Sequence, residues 1–164
     1  MSKPPKVPGR PRTGARVAAV QALFQSEHSG ESAEAVAQQF IRHRIGAGEG
    51  EDAFEDGRVP LAHIPLFEAI LKAAATRGED GDAEIRAHLQ KDWTLERLDP
   101  VLRALLRAAA AELLAGAEPP ARVVINEYLD VARGFLDDET ARFANGVLDA
   151  MAHALRPAEF GPAR

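Results

Sequence analysis

The sequence contains no cysteine. Disulfide frameworks, cysteine-ligated zinc, iron–sulfur clusters and thiol nucleophiles are therefore excluded, and the composition fits a reducing cytoplasm. Aromatic residues make up only 5% of the chain, with a single Trp and a single Tyr. So few rings leave little scope for the ladder of base-stacking aromatics that sheet-type RNA binders use. Aliphatic side chains must form the core.

Long apolar runs are also missing, since no stretch of 18 consecutive apolar residues occurs and no apolar run follows the basic start. This pattern excludes a membrane span and a secretory signal, and it indicates a soluble, cytoplasmic protein. The 164 residues carry 20 Lys and Arg against 25 Asp and Glu, which gives a net charge of −5. A chain of this length is expected to form one domain with a core of its own.

The charge is unevenly distributed along the chain. Residues 1–16 contain five basic side chains and no acidic one, so the remainder carries a net charge of −10. Four prolines and two glycines in this start oppose a helix, so residues 1–15 are predicted to form an extended, mobile basic arm. Such an arm is either a solubilising tail or a segment that contacts a polyanion.

Apolar residues after the arm recur at the spacing of one helix face, and helix-start and helix-stop residues divide them into about seven segments. The fifth segment is the clearest, with Asp99 as N-cap, Pro100 in the first turn and Gly116 as terminator. No strand-like alternation is evident, so an all-α bundle is predicted. The predicted helices run from Val17 to about Gly30, from Ser32 to Ile45, across residues 61–74 around Pro65, from Asp82 to Leu89, from Asp99 to Gly116, from Pro119 to Gly134 and from Asp137 or Asp138 to Pro157.

Residues 46–57 interrupt this pattern with five acids, four glycines and no base. The composition predicts a mobile acidic loop or insertion. It lies within one helical domain that is predicted to span residues 16–158 and to end in a short tail at residues 159–164.

Residues for catalysis or metal binding do not converge anywhere in the sequence. The five His occupy different predicted elements without an HExxH pair, and phosphate-binding glycine loops and a GxSxG elbow are absent. The carboxylates fall at helix starts and on polar faces, where capping and solvation explain them. We therefore predict no metal, no cofactor and no enzymatic activity.

Two pairs of residues do not fit the apolar helix patterns in which they lie. Asn145 and Gly146 are poor helix formers in the last predicted helix. A close helix crossing that only Gly permits is favoured over a backbone surface left open for a partner. Asn126 and Glu127 follow the buried-looking Ile125, and a hydrogen bond between helices is the simpler explanation for them.

These pairs also carry a family resemblance. The strings VVINEYLDVARGF and FANGVLD resemble the C-terminal signature of the NusB family of bacterial transcription antitermination factors. GARVAAVQALFQSEHSG is similar to the first helix of that family, and LDPVLRALLRAAAAELL followed by PPARVVINE is similar to its middle region. The resemblance implies an all-helical fold of two small bundles and a non-enzymatic role. It further implies pairing with NusE, a small-subunit ribosomal protein, and binding of the single-stranded boxA element of ribosomal RNA leaders, so that RNA polymerase in the elongation complex reads through terminators.

Candidate site residues follow from the same resemblance. The arginine-rich start of the family is interrupted here by Thr13 and Gly14, its usual first-helix Tyr is Phe24, and Leu102 stands where a polar residue is expected. These departures alter the expected partner contacts. The residues expected to face RNA are Arg10, Arg12, Arg16, Arg107, Arg122, Phe135, Glu139 and Arg142. Those expected to face the partner protein are Phe24, Leu102, Asn126 and Glu127.

A basic arm on an acidic body suits a protein whose arm meets phosphates while its body meets a basic ribosomal protein. Neutralisation of single-stranded phosphates by all five arm charges would give a slope of log K against log salt of about −3.5. The alternative is a helical protein-interaction module without an RNA role, in which each Arg is a solvated surface charge. In either case, a second copy could cover the partner-binding face and form a homodimer.

Overall fold

The computed structural model describes residues 11–45 and 62–161, and in these two stretches it contains seven α-helices, two short 3-10 turns and no β-strand element. None of these helices is both long and apolar enough to cross a membrane. The all-α prediction is confirmed. The helices are α1 (Pro11–Ser29), α2 (Ala33–His43), α3 (Ile64–Thr76), α4 (Gly78–Ala87), α5 (Pro100–Ala115), α6 (Ala121–Phe135) and α7 (Asp138–Leu155), and the 3-10 turns are Leu95–Arg97 and Pro157–Phe160.

Helix α5 is the hub of the fold because it packs against α1, α3, α4, α6 and α7. Helices α1, α2 and α3 form one small bundle with it, whereas α6 and α7 pack on it and on each other. Most of α5 is buried, as expected for a helix that is apolar on nearly every face. Five of its buried residues are small, so neighbouring helices can approach its axis closely: Ala104, Ala108, Ala109, Ala110 and Ala111.

Local capping fixes three of the helix starts where the sequence predicts them. The Ser32 side chain accepts a hydrogen bond from the amide of Ala35 at the start of α2. The carboxylate of Asp99 accepts from the first-turn amides of α5, at 2.8 and 3.2 Å, and that of Asp137 accepts from the amide of Thr140 in α7 at 2.8 Å. Each cap satisfies amides that have no partner within the helix.

The predicted start of α4 at Asp82 is wrong, since the helix begins four residues earlier at Gly78. No side chain caps it there. Tertiary packing explains the earlier start, because the residues before Asp82 pack on α5: Gly81 is buried, and a Cβ atom on it would make an ordinary contact with the Cβ of Ala110, at 3.5 Å. Contact with a neighbouring helix therefore overrides the local capping signal.

The predicted extent of the basic arm is also corrected. Helix α1 begins at Pro11, so residues 11–15 are helical rather than extended. Proline is tolerated in a first turn because its missing amide hydrogen has no partner to lose there. Residues 1–10 of the arm and the acidic segment 46–57 lie outside the described residues.

The close crossing predicted at Gly146 is wrong as well. Asn145 and Gly146 are both exposed on α7. A Cβ atom on Gly146 would meet no described side chain or neighbouring backbone within 4 Å. The glycine therefore leaves a flat, open place on the helix surface.

The cap on the central helix provides a test of this folding account. Asp99→Ala removes the acceptor for two amides of α5, so we expect the free energy of unfolding to fall by about 1 kcal/mol. Urea denaturation at neutral pH measures this change. The control is Glu68→Ala on the exposed side of α3, which also removes one acidic group. Equal stability of the two variants would show that the cap contributes nothing.

Candidate functional site

Helices α1 and α6 lie side by side and run in the same direction. Residues near their starts line one cavity of about 500 Å³, which includes Arg12 and Thr13 of α1 and Val123 of α6. Residues further along line a second groove, which includes Phe24 of α1 and Phe135 of α6. The twelve helical steps from Arg12 to Phe24 span about 18 Å, so the two helices present one elongated face, which we call the α1–α6 face.

Arg16 anchors this face from inside the protein. Its Nε and Nη2 groups donate to the two carboxylate oxygens of Glu112 on α5, at 2.9 and 2.7 Å, and its Nη1 group donates to Oε1 of Glu127 on α6 at 2.9 Å. Thr13 donates its hydroxyl to the same Glu127 oxygen at 2.7 Å. Arg16 is 2% exposed, which contradicts the expectation that it faces RNA, because phosphate cannot reach a guanidinium enclosed by two carboxylates.

The protonation states around Arg16 follow from burial and charge. Burial alone lowers the pKa of Arg16, but the hydrogen bond and the negative charge of Glu112 outweigh it and raise that pKa above the ordinary value for arginine. Tyr128 is fully buried, and it donates its hydroxyl to Glu112 at 2.9 Å. Burial raises the pKa of Tyr128 well above 10, with the charge of Glu112 adding to the effect. The cluster therefore holds one cation, two carboxylate side chains and a neutral phenol.

The distal part of the α1–α6 face is an aromatic groove of about 560 Å³. Phe135 is 47% exposed there, and the Phe24 ring stacks on His28 with centroids 4.1 Å apart. Arg44 also lines the groove and lies over the Phe40 ring, 4.5 Å from its centroid. Exposed rings beside a cationic group can accept a flat, electron-rich ligand such as a nucleobase.

A separate groove of about 360 Å³, away from the α1–α6 face, lies between the starts of α5 and α7. Trp93 is 49% exposed in it and lies tilted against Phe143, with ring centroids 6.0 Å apart. The predicted partner residue Leu102 also lines it, although only 3% of this residue is exposed. Three carboxylates and no basic side chain line the same groove, which we call the acidic groove: Asp99, Asp137 and Glu139.

Glu139 was expected on the RNA side, but the structure places it in the acidic groove, where its carboxylate neighbours disfavour phosphate. Sequence reasoning missed Trp93 altogether. The available signal was a single Trp in the polar segment KDWT, between two predicted helices. A large ring in such a segment has few core positions to occupy.

Arg107 does not join either groove. Its Nε and Nη2 groups donate to both oxygens of Asp82, at 2.9 and 3.0 Å, and its Nη1 group donates to Glu27 at 2.8 Å. Glu27 also accepts from the largely buried Arg103. The expectation that Arg107 faces RNA is corrected, because two carboxylates already neutralise its charge.

The remaining predicted residues lie on the surface in separate places. Arg122 is exposed on the first turn of α6, and its guanidinium lies 5.1 Å from the centroid of the Phe160 ring. Asn126 is exposed further along α6, and Arg142 is exposed on α7. Glu127 is partly exposed, but one of its oxygens is held by Arg16 and Thr13. Arg10 lies outside the described residues.

Comparison with known proteins decides the family, because the NusB family model matches residues 13–153. The chain belongs to the NusB family. The transcription antitermination protein NusB of Granulibacter bethesdensis is 56% identical over 94% of this chain and 95% of its own length. The same-named protein of Gluconobacter oxydans is 51% identical over 87% of this chain and 86% of its own length.

Solved structures agree with the NusB assignment. A chain in a crystal structure of antitermination factors NusB and NusE in complex with dsRNA matches with a TM-score of 0.63 and 27% identity, covering 89% of this chain and 98% of that one. NusB of T. maritima matches the fold with a TM-score of 0.66 and 24% identity, covering 99% of this chain and all of that one. The family is one of transcription antitermination proteins, so the resemblance and the non-enzymatic role predicted from the sequence are confirmed.

The ion pairs around Glu27 give this part of the fold a definite pH dependence. The hydrogen bond from Arg103 lowers the pKa of Glu27 below its ordinary value of 4.5. A carboxylate whose pKa is lower in the folded state stabilises the fold above its unfolded pKa, and this contribution is lost as the pH falls through the folded value.

We therefore expect Glu27→Gln to lower the free energy of unfolding by about 1–3 kcal/mol at neutral pH. The difference from the unmodified protein should shrink steadily below about pH 4.5. Urea denaturation across pH 3–7 measures it, with Glu68→Gln as the exposed control. A constant difference at every pH would contradict the assigned ion pairs.

Proposed function

We propose that this protein pairs with NusE and binds boxA RNA of nascent ribosomal leaders, so that RNA polymerase in the elongation complex reads through terminators. The observation that carries the proposal is the separation of two surfaces of opposite character. The α1–α6 face combines basic and aromatic groups, whereas the acidic groove combines carboxylates with the exposed Trp93 and the partly buried Phe143. One surface suits RNA and the other suits a basic protein.

The α1–α6 face suits single-stranded RNA because its two ends offer different contacts. Arg12 and Arg122 are exposed near the helix starts, where they can bind phosphates without reading sequence. Phe24, which the family resemblance assigned to the partner protein, lies with Phe135 in the distal groove, and we propose that an unpaired base stacks there instead. Stacking on an aromatic side chain contributes about 1–3 kcal/mol per base, so a few contacts are enough for a protein with few aromatics.

The acidic groove suits NusE because ribosomal proteins are basic. Carboxylates on its rim attract a basic surface and repel RNA, which separates the two ligands. Trp93 and Phe143 supply an apolar centre, and Trp is among the residues that dominate binding energy at protein interfaces. In the absence of NusE, the same rings are the proposed contact for a second copy of the chain.

The related complex of NusB, NusE and dsRNA supports this pairing. For the present chain we propose single-stranded boxA, since bases in a duplex are not free to enter the aromatic groove. Binding to nascent transcripts also implies that the protein acts in the cytoplasm.

The direct test is fluorescence anisotropy of boxA RNA against a scrambled RNA, with and without NusE. Preference for boxA that NusE strengthens is expected. Equal, weak binding to both RNAs that NusE leaves unchanged would contradict the proposal. NusE binding without any RNA preference would favour the alternative, a protein-interaction module.

The contrast between Arg12 and Arg107 gives a sharper prediction. If Arg12 neutralises one phosphate, Arg12→Ala should reduce the slope of log K against log salt by about 0.7. Arg107→Ala should leave that slope unchanged, because the carboxylates of Asp82 and Glu27 already pair with Arg107. Anisotropy titrations of boxA at four salt concentrations measure both slopes, and an equal reduction in the two variants would refute the assignment.

The single Trp makes NusE binding observable without a label. Because Trp93 is half exposed, burial under NusE should shift its fluorescence to shorter wavelength, whereas boxA alone should leave it unchanged. Glu139→Lys should weaken NusE binding about tenfold through like-charge repulsion, which corresponds to about 1.4 kcal/mol.

Glu68→Lys on α3 makes the same charge change away from the groove and is the control. Emission is recorded after subtraction of the spectrum of NusE. A spectrum that does not respond to NusE, or equal affinity of the two variants, would place NusE elsewhere on the protein.

A further inference from the structure

We infer that Arg16 and Thr13 are positioning residues for RNA binding: together they clamp the first turns of α1 to α5 and α6 and so hold Arg12 beside α6. This inference rests on the proposed function, because it assigns to a buried cluster a role in RNA binding that requires no contact with RNA. It replaces the phosphate contact that the sequence suggested for Arg16.

The first turn of α1 is weak by itself. Thr13 and Gly14 are poor helix formers, and the first turn contains no acidic residue to oppose the helix dipole. Without outside support such a turn would fray. Thr13 and Gly14, which interrupt the arginine run, therefore make the first turn of α1 less stable.

Contacts from three other parts of the chain provide that support. One oxygen of Glu127 accepts from Thr13 and from Arg16, which are three residues apart and so lie on the same side of α1. Glu112 holds the other side of the Arg16 guanidinium in a two-bond contact. The amide of His63 donates to the carbonyl of Pro11 at 2.8 Å, which ties the start of α1 to the residue before α3.

The charged groups of the cluster indicate that it fixes the position of α1 relative to α5 and α6. A buried ion pair is weak evidence for stability, because apolar residues of similar volume often stabilise a fold equally well. The bidentate guanidinium, however, permits one geometry only, and here it relates α1 to two helices at once. Thr13, which breaks the arginine run, supplies a hydroxyl that an Arg in its place would lack.

Loss of the cluster should therefore lower the affinity for RNA without changing the dependence of that affinity on salt. If the first turns of α1 lose their register, Arg12 must be ordered again on binding, which costs conformational entropy and lowers affinity. The number of phosphates neutralised does not change, so the salt slope stays the same. A residue that touches phosphate would change both quantities.

Thr13→Val removes the hydroxyl donor while keeping the shape of the side chain, and Arg16→Lys keeps the charge but loses the two-bond contact. We expect each to lower boxA affinity about three- to tenfold with the salt slope of the unmodified protein. Hydrogen exchange at the amides of residues 15–18, which bond to the first turn, should become faster. Thr76→Val is the matched control, since the Thr76 hydroxyl bonds within α3 to the carbonyl of Lys72.

Unchanged affinity and exchange in Thr13→Val would overturn the inference, and this variant remains informative if Arg16→Lys does not fold. A slope reduced by about 0.7 in Arg16→Gln, which removes the charge, would also overturn it, because Arg16 would then contact a phosphate. If the unmodified protein shows no preference for boxA, the proposed function fails instead. The exchange rates still decide whether the cluster fixes the first turns of α1.

Discussion

The buried contact of Arg16 with Glu112 and Glu127 is the constraint on which the candidate site depends. It joins α1 to the hub helix α5 and to α6 through residues separated by about a hundred positions in sequence. A charge that is 2% exposed needs partners of opposite charge, and these partners lie on α5 and α6. The small side chains of α5 allow its neighbours to pack closely enough for these contacts.

The same fold presents two surfaces of different chemistry. Because α1 and α6 run in parallel, basic groups near their starts continue into the aromatic groove at Phe24 and Phe135. The acidic groove lies at the start of α5, where Trp93 and Phe143 provide an apolar centre. In the proposed function, this difference in charge directs RNA and a basic protein to separate surfaces of one small domain.

The sequence predicted the fold class and most helix starts, because these depend on neighbouring residues. Ser32, Asp99 and Asp137 cap helices through amides two or three positions away. The start of α4 was missed because the packing of Gly81 on α5 decides it. Short sequence patterns thus predicted the individual helices, and the family resemblance predicted how they pack into two small bundles.

The roles of charged residues were harder to predict. Arg16 and Arg107 look like surface charges in the sequence, yet each meets carboxylates that are distant along the chain. An exposed position such as that of Arg12 looks the same in sequence as a buried one such as that of Arg16, since both stand in one short basic segment. Only the packing of α5 and α6 against α1 shows that Arg16 is buried whereas Arg12 is exposed, which is the basis of their different proposed roles.

Ultraviolet crosslinking of boxA RNA that contains 4-thiouridine, followed by mapping of the attached peptides, tests the central claim most directly. The account predicts attachment at Phe24 and Phe135 on the α1–α6 face, in the presence of NusE, and none at Trp93. Trp is readily crosslinked, so its absence from the attached peptides would be informative. Attachment mainly at Trp93 in the acidic groove would contradict the assignment of RNA and partner to separate surfaces.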